Sequence, residues 1–308
     1  MPIHVSDLSR RRFLLHGSAG AAGFAFLFGA RDAVAADRVA DPNLFAWLSD
    51  THIPESDQIE ARGVNMTANL RQVVGELRSL ETRPSAVLIN GDCAYLKGLP
   101  GDYANLAACL APLAEAGFPL HLTMGNHDDR GPLYDALSDQ RPDDPPVESK
   151  HVSLIESPHA NLFLLDSLRE VNVVTGELGR QQLRWLAAAL DAHADKPAVI
   201  IAHHNPQFEP PAANRPWSGM LDTDDLFEVL TSRDHVKAVV FGHTHRWTVG
   251  EHQGIHLINL PPVAYVFADA MPNGWVSARM RPDGIDLELR TIDANHSRSG
   301  ERVTLAWR

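Results

Sequence analysis

The chain has 308 residues, of which 44% are apolar and 21% charged, enough to bury one sizeable core without requiring a second domain. Its 39 acids outnumber 27 bases for a net charge of −12, which argues against a long nucleic acid as substrate because the surface repels polyanions. Only two cysteines occur, Cys93 and Cys109, which excludes a disulfide framework and leaves both as expected core thiols.

Taken in chain order, the first segment is Ser9-Arg10-Arg11-Arg12-Phe13-Leu14-Leu15 followed by an apolar, small-residue stretch from Gly17 to Ala30. This is a twin-arginine export pattern, and the stretch is shorter than the roughly 20 residues a spanning helix needs. Ala33-Val34-Ala35-Ala36 offers cleavage choices, so residues 1–36 are expected to be a signal peptide and 37–308 one mature domain, periplasmic or secreted by a bacterium, with no membrane anchor after cleavage. The expected protein partner is then the twin-arginine export machinery. The leader takes away four arginines and only two acids, so the mature chain is more acidic still.

Five short apolar runs follow: Leu44–Leu48, Ala86–Ile89, Leu120–Met124, Ala198–Ala202 and Val236–Phe241. They read as strands buried on both faces. Between them Leu70, Val73, Val74, Leu77 and Leu80, then Tyr103 to Ala116, then Leu183, Leu186 and Leu190 recur at helical spacing. Alternating strands and helices predict an α/β fold. Asp139 to Lys150 and Asn205 to Met220 carry several prolines and read as rigid rim loops, while Gly274 to Arg308 alternates like sheet and is expected to complete a second sheet.

Each apolar run ends in a cluster of metal-ligand residues: Asp50-Thr51-His52, Gly91-Asp92, Gly125-Asn126-His127-Asp128, His203-His204-Asn205-Pro206 and Gly242-His243-Thr244-His245. In α/β sheets ligands bind outside the carboxyl ends of the strands, where all five fall. In an extended segment residues i and i+2 share a side, so Asp50 with His52, and His243 with His245, can each present two ligands to one site. The two oxygens of Asp92 can bridge two cations, Asn126 offers an amide oxygen, and the imidazoles suit zinc, iron or manganese. Two such ions polarise a phosphoryl oxygen and turn a shared water into hydroxide near neutral pH. His127, able to carry a proton at that pH, is the candidate acid for the leaving alkoxide. Arg130 is a candidate clamp for a phosphate oxygen, against a competing ion pair with Asp128 or Asp129.

On these motifs the chain resembles the calcineurin-like metallophosphoesterase superfamily over roughly residues 44 to 260. The resemblance implies a four-layer α/β/β/α sandwich of two mixed sheets with a dinuclear centre at their edges. It further implies that Asp50, His52, bridging Asp92 and His245 hold one metal, that Asp92, Asn126, His204 and His243 hold the other, and that His127 is catalytic. The family's fourth-motif ligand usually stands two residues before a proline, which selects His204 over His203. Gly91-Asp92-Cys93-Ala94-Tyr95 also matches a purple acid phosphatase motif whose tyrosine binds iron. His52, absent from those enzymes, points instead to an outer or packing role for Tyr95. With His52, His-His-Asn-Pro and Gly-His-Thr-His together, the chain is similar to bacterial class III cyclic nucleotide and glycerophosphodiester phosphodiesterases. The expectation is a metal-dependent hydrolase of a small phosphodiester working by in-line attack of a metal-bridging hydroxide. The alternatives are a periplasmic phosphomonoesterase and a non-catalytic metal-binding scaffold.

Overall fold

The structure is a computed structural model describing residues 39–308; the expected leader lies outside the described residues. Strand β1 (Ala40–Ser49) shows why its run is continuously apolar: Phe45 and Trp47 enter a core between two sheets, while Ala46 and Leu48 face a second core beneath helices. A strand sandwiched on both faces has no solvent side to keep polar. β1 pairs in parallel with β2 (Arg83–Asn90), which pairs in parallel with β3 (Leu120–Thr123).

The connections are helical. α1 (Met66–Ser79) is capped by the Asn65 side chain accepting from the Ala68 amide at 2.8 Å, and buries Leu70, Val73, Val74 and Leu77 on one face. α2 (Pro100–Glu115) starts at a proline, whose missing N–H would have had no helical partner, and buries Leu106, Cys109, Leu110 and Leu113. Both pack on the outer face of the first sheet; Cys93 and Cys109 lie in this core as free thiols. A short α3 (Arg130–Ala136) follows β3.

The second sheet begins with β4 (Ser153–Glu156) and β5 (Asn161–Leu164). It continues through β6 (Ala198–Ile201), β7 (Val236–Phe241), β8 (Thr248–His252) and β9 (Ile255–Asn259). Its order is β4-β5-β6-β7-β9-β8, with β5, β6, β7 and β9 parallel and the two edges antiparallel. Helices α4 (Arg180–Ala192) and α5 (Thr223–Thr231) cover its outer face through Leu186, Leu190, Leu226 and Leu230. The layers are therefore α/β/β/α, as expected.

The carboxyl-terminal strands β10 (Gly274–Arg281), β11 (Gly284–Thr291) and β12 (Arg302–Ala306) depart from expectation. They join the first sheet, in the order β12-β11-β10-β1-β2-β3, through antiparallel pairing of β10 with β1. The reason lies in their alternation: Val276, Ala278, Met280, Ile285, Leu287 and Leu289 complete the inter-sheet core opposite Leu162, Val199 and Val240. Both sheets thus deliver the ends of their parallel strands to one edge of the sandwich, and the ligand motifs follow those ends.

Candidate metal centre

The motif residues leave their strands in a conformation other than the extended one expected. Asp50 (φ 51°), His52 (φ 45°), Asp92 (φ 48°), His243 (φ 65°) and His245 (φ 53°) are all left-handed. The backbone itself turns their side chains inward, and pairing carries on past the strands to hold it there: the Asp50 amide donates to Gly91 O at 3.1 Å and the His52 amide to Asp92 O at 2.9 Å. Two glycines permit the close approach. A Cβ on Gly125 would lie 2.2 Å from Asp92 Oδ1, and one on Gly242 would lie 2.0 Å from Ser49 Oγ and 2.5 Å from Asp50 Oδ2.

Three overlapping groups converge, with ligand atoms within 4.8 Å of one another in each: Asp50–His52–His245, His52–Asp92–His127 and Asp92–His203–His243. The tautomers are set from behind. His52 Nδ1 donates to Tyr95 O at 3.2 Å, His245 Nδ1 to Tyr265 O at 2.5 Å, and His203 Nδ1 to Asn90 O at 2.8 Å. Each therefore presents the Nε2 lone pair to the site. His243 is held the other way round: its Nε2 meets Ser218 O at 2.9 Å, leaving Nδ1 for the site.

These donors fit a metal. His52 Nε2 and His245 Nε2, two lone pairs, face each other at 3.0 Å, a contact that repels unless a cation or proton lies between them. His203 Nε2, His204 Nε2 and the Asn126 amide oxygen are buried without a partner. Asp50 and Asp92 are fully buried, and among the described residues the ion pairs they make are with imidazoles alone. Burial pushes the Asp50 carboxyl up, but His245 and His203, when they carry protons in a cation's place, more than offset this and hold it far below the usual range; Asp92 is likewise held low by His203 and His52 against burial. Two adjacent buried anions and a set of inward lone pairs are the donor set of a hard-to-borderline cation.

Other expected site residues sit as follows. The Asn126 amide oxygen is buried without a partner, while its backbone carbonyl accepts from the Asn172 amide at 2.6 Å. His127 is half-buried; its amide donates to Asp92 Oδ1 at 2.9 Å and its Nδ1 to Leu96 O at 2.8 Å, which orients the ring and leaves its Nε2 available. Tyr95 packs its ring against the core under α1 and α2, and it is its carbonyl that meets His52. His204, expected among the ligands, lies one step away: its Nδ1 meets Ser167 Oγ at 2.7 Å, and its ring is 4.7 Å from that of His243. Its neighbour His203 lies 3.3 Å from Asp92 Oδ2.

Arg130 is turned away from any clamp position. Its fork binds neither Asp128 nor Asp129 but the buried Asp166, at 2.6 and 2.7 Å, and Leu168 O at 2.9 Å. Asp128 was not foreseen as a positioning group. It accepts from the amides of Cys93, Ala94 and Gly125 and from Tyr103 Oη, tying the second motif to the third; burial and the nearby Asp92 raise its carboxyl to about 6.

Comparison with known proteins agrees with this geometry. The family described as calcineurin-like phosphoesterase matches residues 44–247. The chain is 26% identical over 258 residues to the 3′,5′-cyclic adenosine monophosphate phosphodiesterase CpdA of Haemophilus influenzae, covering 80% of this chain and 88% of that one. It is 27% identical over 242 residues to the glycerophosphodiester phosphodiesterase GpdQ of Enterobacter lignolyticus, covering 74% and 82%. A dimetal phosphatase of Danio rerio shares the fold with a TM-score of 0.67 at 18% identity, covering 87% of this chain and all of that one.

Proposed function

The chain belongs to the calcineurin-like phosphoesterase family, and from that premise we propose that it hydrolyses a small phosphodiester at a dinuclear metal centre. The observation that carries this is the convergence of two buried carboxylates with the inward lone pairs of four histidines at the strand ends. One ion would be held by Asp50, His52, Asp92 and His245, the other by Asp92, Asn126, His203 and His243, so His203 replaces His204 in the set. When bound, the ions polarise the phosphoryl oxygens and acidify a water for attack; zinc, manganese and iron all suit these donors.

The protein's own residues then orient and protonate. With Nδ1–H fixed on Leu96 O, His127 in its imidazolium form carries at Nε2 the proton that the leaving alkoxide needs. Asp128 fixes the backbone on which Asp92 and Asn126 sit. A diester is favoured over a monoester by charge: Arg130, the cation best placed by sequence to meet a dianion, is consumed by Asp166. The names of the two bacterial relatives, both phosphodiesterases, support the same choice. The twin-arginine pattern supports action outside the cytoplasm, which cell fractionation of the intact chain against a variant with Arg11→Lys and Arg12→Lys would test.

The test of function is hydrolysis of bis-para-nitrophenyl phosphate against para-nitrophenyl phosphate, with manganese, zinc or iron supplied, beside His127→Ala and Asp92→Asn. Diester preference, lost in both variants, is expected. Monoester preference would move the reading to a phosphatase, and inactivity on both with two metals bound would sink it.

A further inference from the structure

Beyond the ligands the aromatic wall of the site continues outward. The His127 and His52 ring centroids are 5.3 Å apart, His52 stacks on Tyr265 at 5.3 Å, and His245 stacks on Phe267 at 4.2 Å with 25° between planes. Phe267 closes this wall and is 55% exposed, the most exposed large apolar side chain beyond Val39 at the edge of the described residues. An aromatic ring so placed, backed by a candidate ligand and open to solvent, gains nothing from core packing.

Above it stands a cation with no acid. The Arg62 guanidinium carbon lies 4.9 Å from the Phe267 centroid and 5.7 Å from that of Tyr265. Among the described residues Arg62 makes no ion pair, although acids exceed bases along the chain. Its backbone is committed as well. Arg62 (φ 52°) and Gly63 (φ 76°) form the tip of a two-residue turn closed by paired Ala61–Val64 hydrogen bonds of 3.0 and 2.9 Å. Such a turn favours Asn or Gly at its first position, so an arginine there is held against local preference. Ala61 and Val64 pack on the core, fixing the turn while the arginine projects.

Position decides what the pair can take. The ring that carries the Arg62 guanidinium is the one stacked on His245, so the pair borders a candidate metal ligand and is placed to meet what the phosphorus carries. A guanidinium plane and an exposed ring both attract flat π systems. We propose that Arg62 and Phe267 form a stacking site beside the metal ligands for a flat aromatic ring on the substrate's ester group, a nucleobase or an aryl alcohol, and thereby select among diesters. This rests on the diesterase reading above.

The test uses the full chain loaded with manganese and three diesters: adenosine 3′,5′-cyclic phosphate, bis-para-nitrophenyl phosphate and glycerophosphoethanolamine. Phe267→Ala and Arg62→Ala should each lower kcat/KM on ring-bearing diesters about tenfold or more relative to the ring-free one, the size of a lost stacking partner. Phe267→Trp should restore it. A relative loss confined to the adenosine ester assigns the site to nucleobases, and a loss shared by both assigns it to flat rings in general. An equal change on all three substrates overturns the inference while leaving the diesterase reading standing. Should the parent protein cleave none of them, that reading falls by itself, and calorimetric binding of adenosine 5′-monophosphate against glycerol phosphate still decides the stacking site: unchanged affinity in both alanine variants refutes it.

Discussion

His203 and His204 are adjacent, both fully buried, and each has an Nε2 without a partner, yet only one faces the carboxylates. Replacing each in turn by alanine removes an equally buried imidazole, so the two variants should lose similar folding stability and differ in metal binding alone. His203 Nε2 stands 3.3 Å from Asp92 Oδ2 and 3.9 Å from Asp50 Oδ1, with Nδ1 pinned to Asn90 O. Deleting a partner one layer behind a ligand typically costs 10–100-fold in metal affinity. Deleting the ligand itself should cost at least the upper end, about 3 kcal/mol for one ion. His204, bound to Ser167 with its ring tilted against that of His243, should cost no more than about tenfold, near 1.4 kcal/mol. Equilibrium dialysis against manganese, with bound metal counted per chain, separates the cases: one ion for His203→Ala and two for His204→Ala at moderate metal. The reverse stoichiometry would refute the assignment and restore the choice made from the proline spacing.

Gly125→Ala should abolish binding of at least one ion and destabilise the fold, since its Cβ would sit 2.2 Å from Asp92 Oδ1 and 2.3 Å from Asp92 N; unchanged metal content would contradict this. Leu88→Ala, deep between the sheets, should lower stability by about 2–5 kcal/mol in urea titration without altering metal stoichiometry. His121 is held down to about 4 by burial and by His151, so the folded chain binds its proton less readily than the unfolded chain. Its contribution is complete above the unfolded value of 6.5 and is lost as pH falls toward 4. Because the ring is only half-buried, about 1 kcal/mol should disappear between pH 7 and pH 5, and His121→Gln should remove that loss. An identical pH slope in the variant would show that the loss belongs to other groups.

The strands and the ligand motifs were legible because both report short-range facts. Phe45 through Leu48 are apolar without a break since each face of β1 meets a core, and the candidate ligands stand directly after the strands that aim them. What the sequence left open depends on long-range partners. Whether His203 or His204 faces Asp92 turns on one residue of strand phase, settled by Ser167 and Asn90 far along the chain. Arg130 looked free until Asp166, 36 residues on, took its fork. The carboxyl-terminal strands carry the right alternation for either sheet, and the pairing of β10 with β1 instead of the second sheet is a choice of edge that alternation does not encode.

The left-handed candidate ligands also bear on why the site is built where it is. A non-glycine residue in that region costs about 1 kcal/mol or more, although aspartate and histidine tolerate it better than most. Five such residues, Asp50, His52, Asp92, His243 and His245, together demand several kcal/mol, comparable to the net stability of a whole domain. The surrounding structure must therefore over-determine them. It does so by continuing the pairing past β1 and β2, from Asp50 to Gly91, His52 to Asp92 and Ile53 to Cys93, and by tying the far side down through the Val263 amide on Ser49 O and the Ala264 amide on Asp50 O. Both flanks of the strained segment are thereby clamped to chain that is itself buried. An extended strand end would send Asp50 and His52 to one face with Thr51 opposite. The left-handed turns instead fold the backbone so that carboxylates and imidazoles from two sheets point at one spot, with Thr51 donating to Cys93 O from behind. The demand for rigid support on both sides explains why the left-handed candidate ligands sit at the ends of parallel strands inside each sheet, β1, β2 and β7, and not on the long proline-bearing loops that follow.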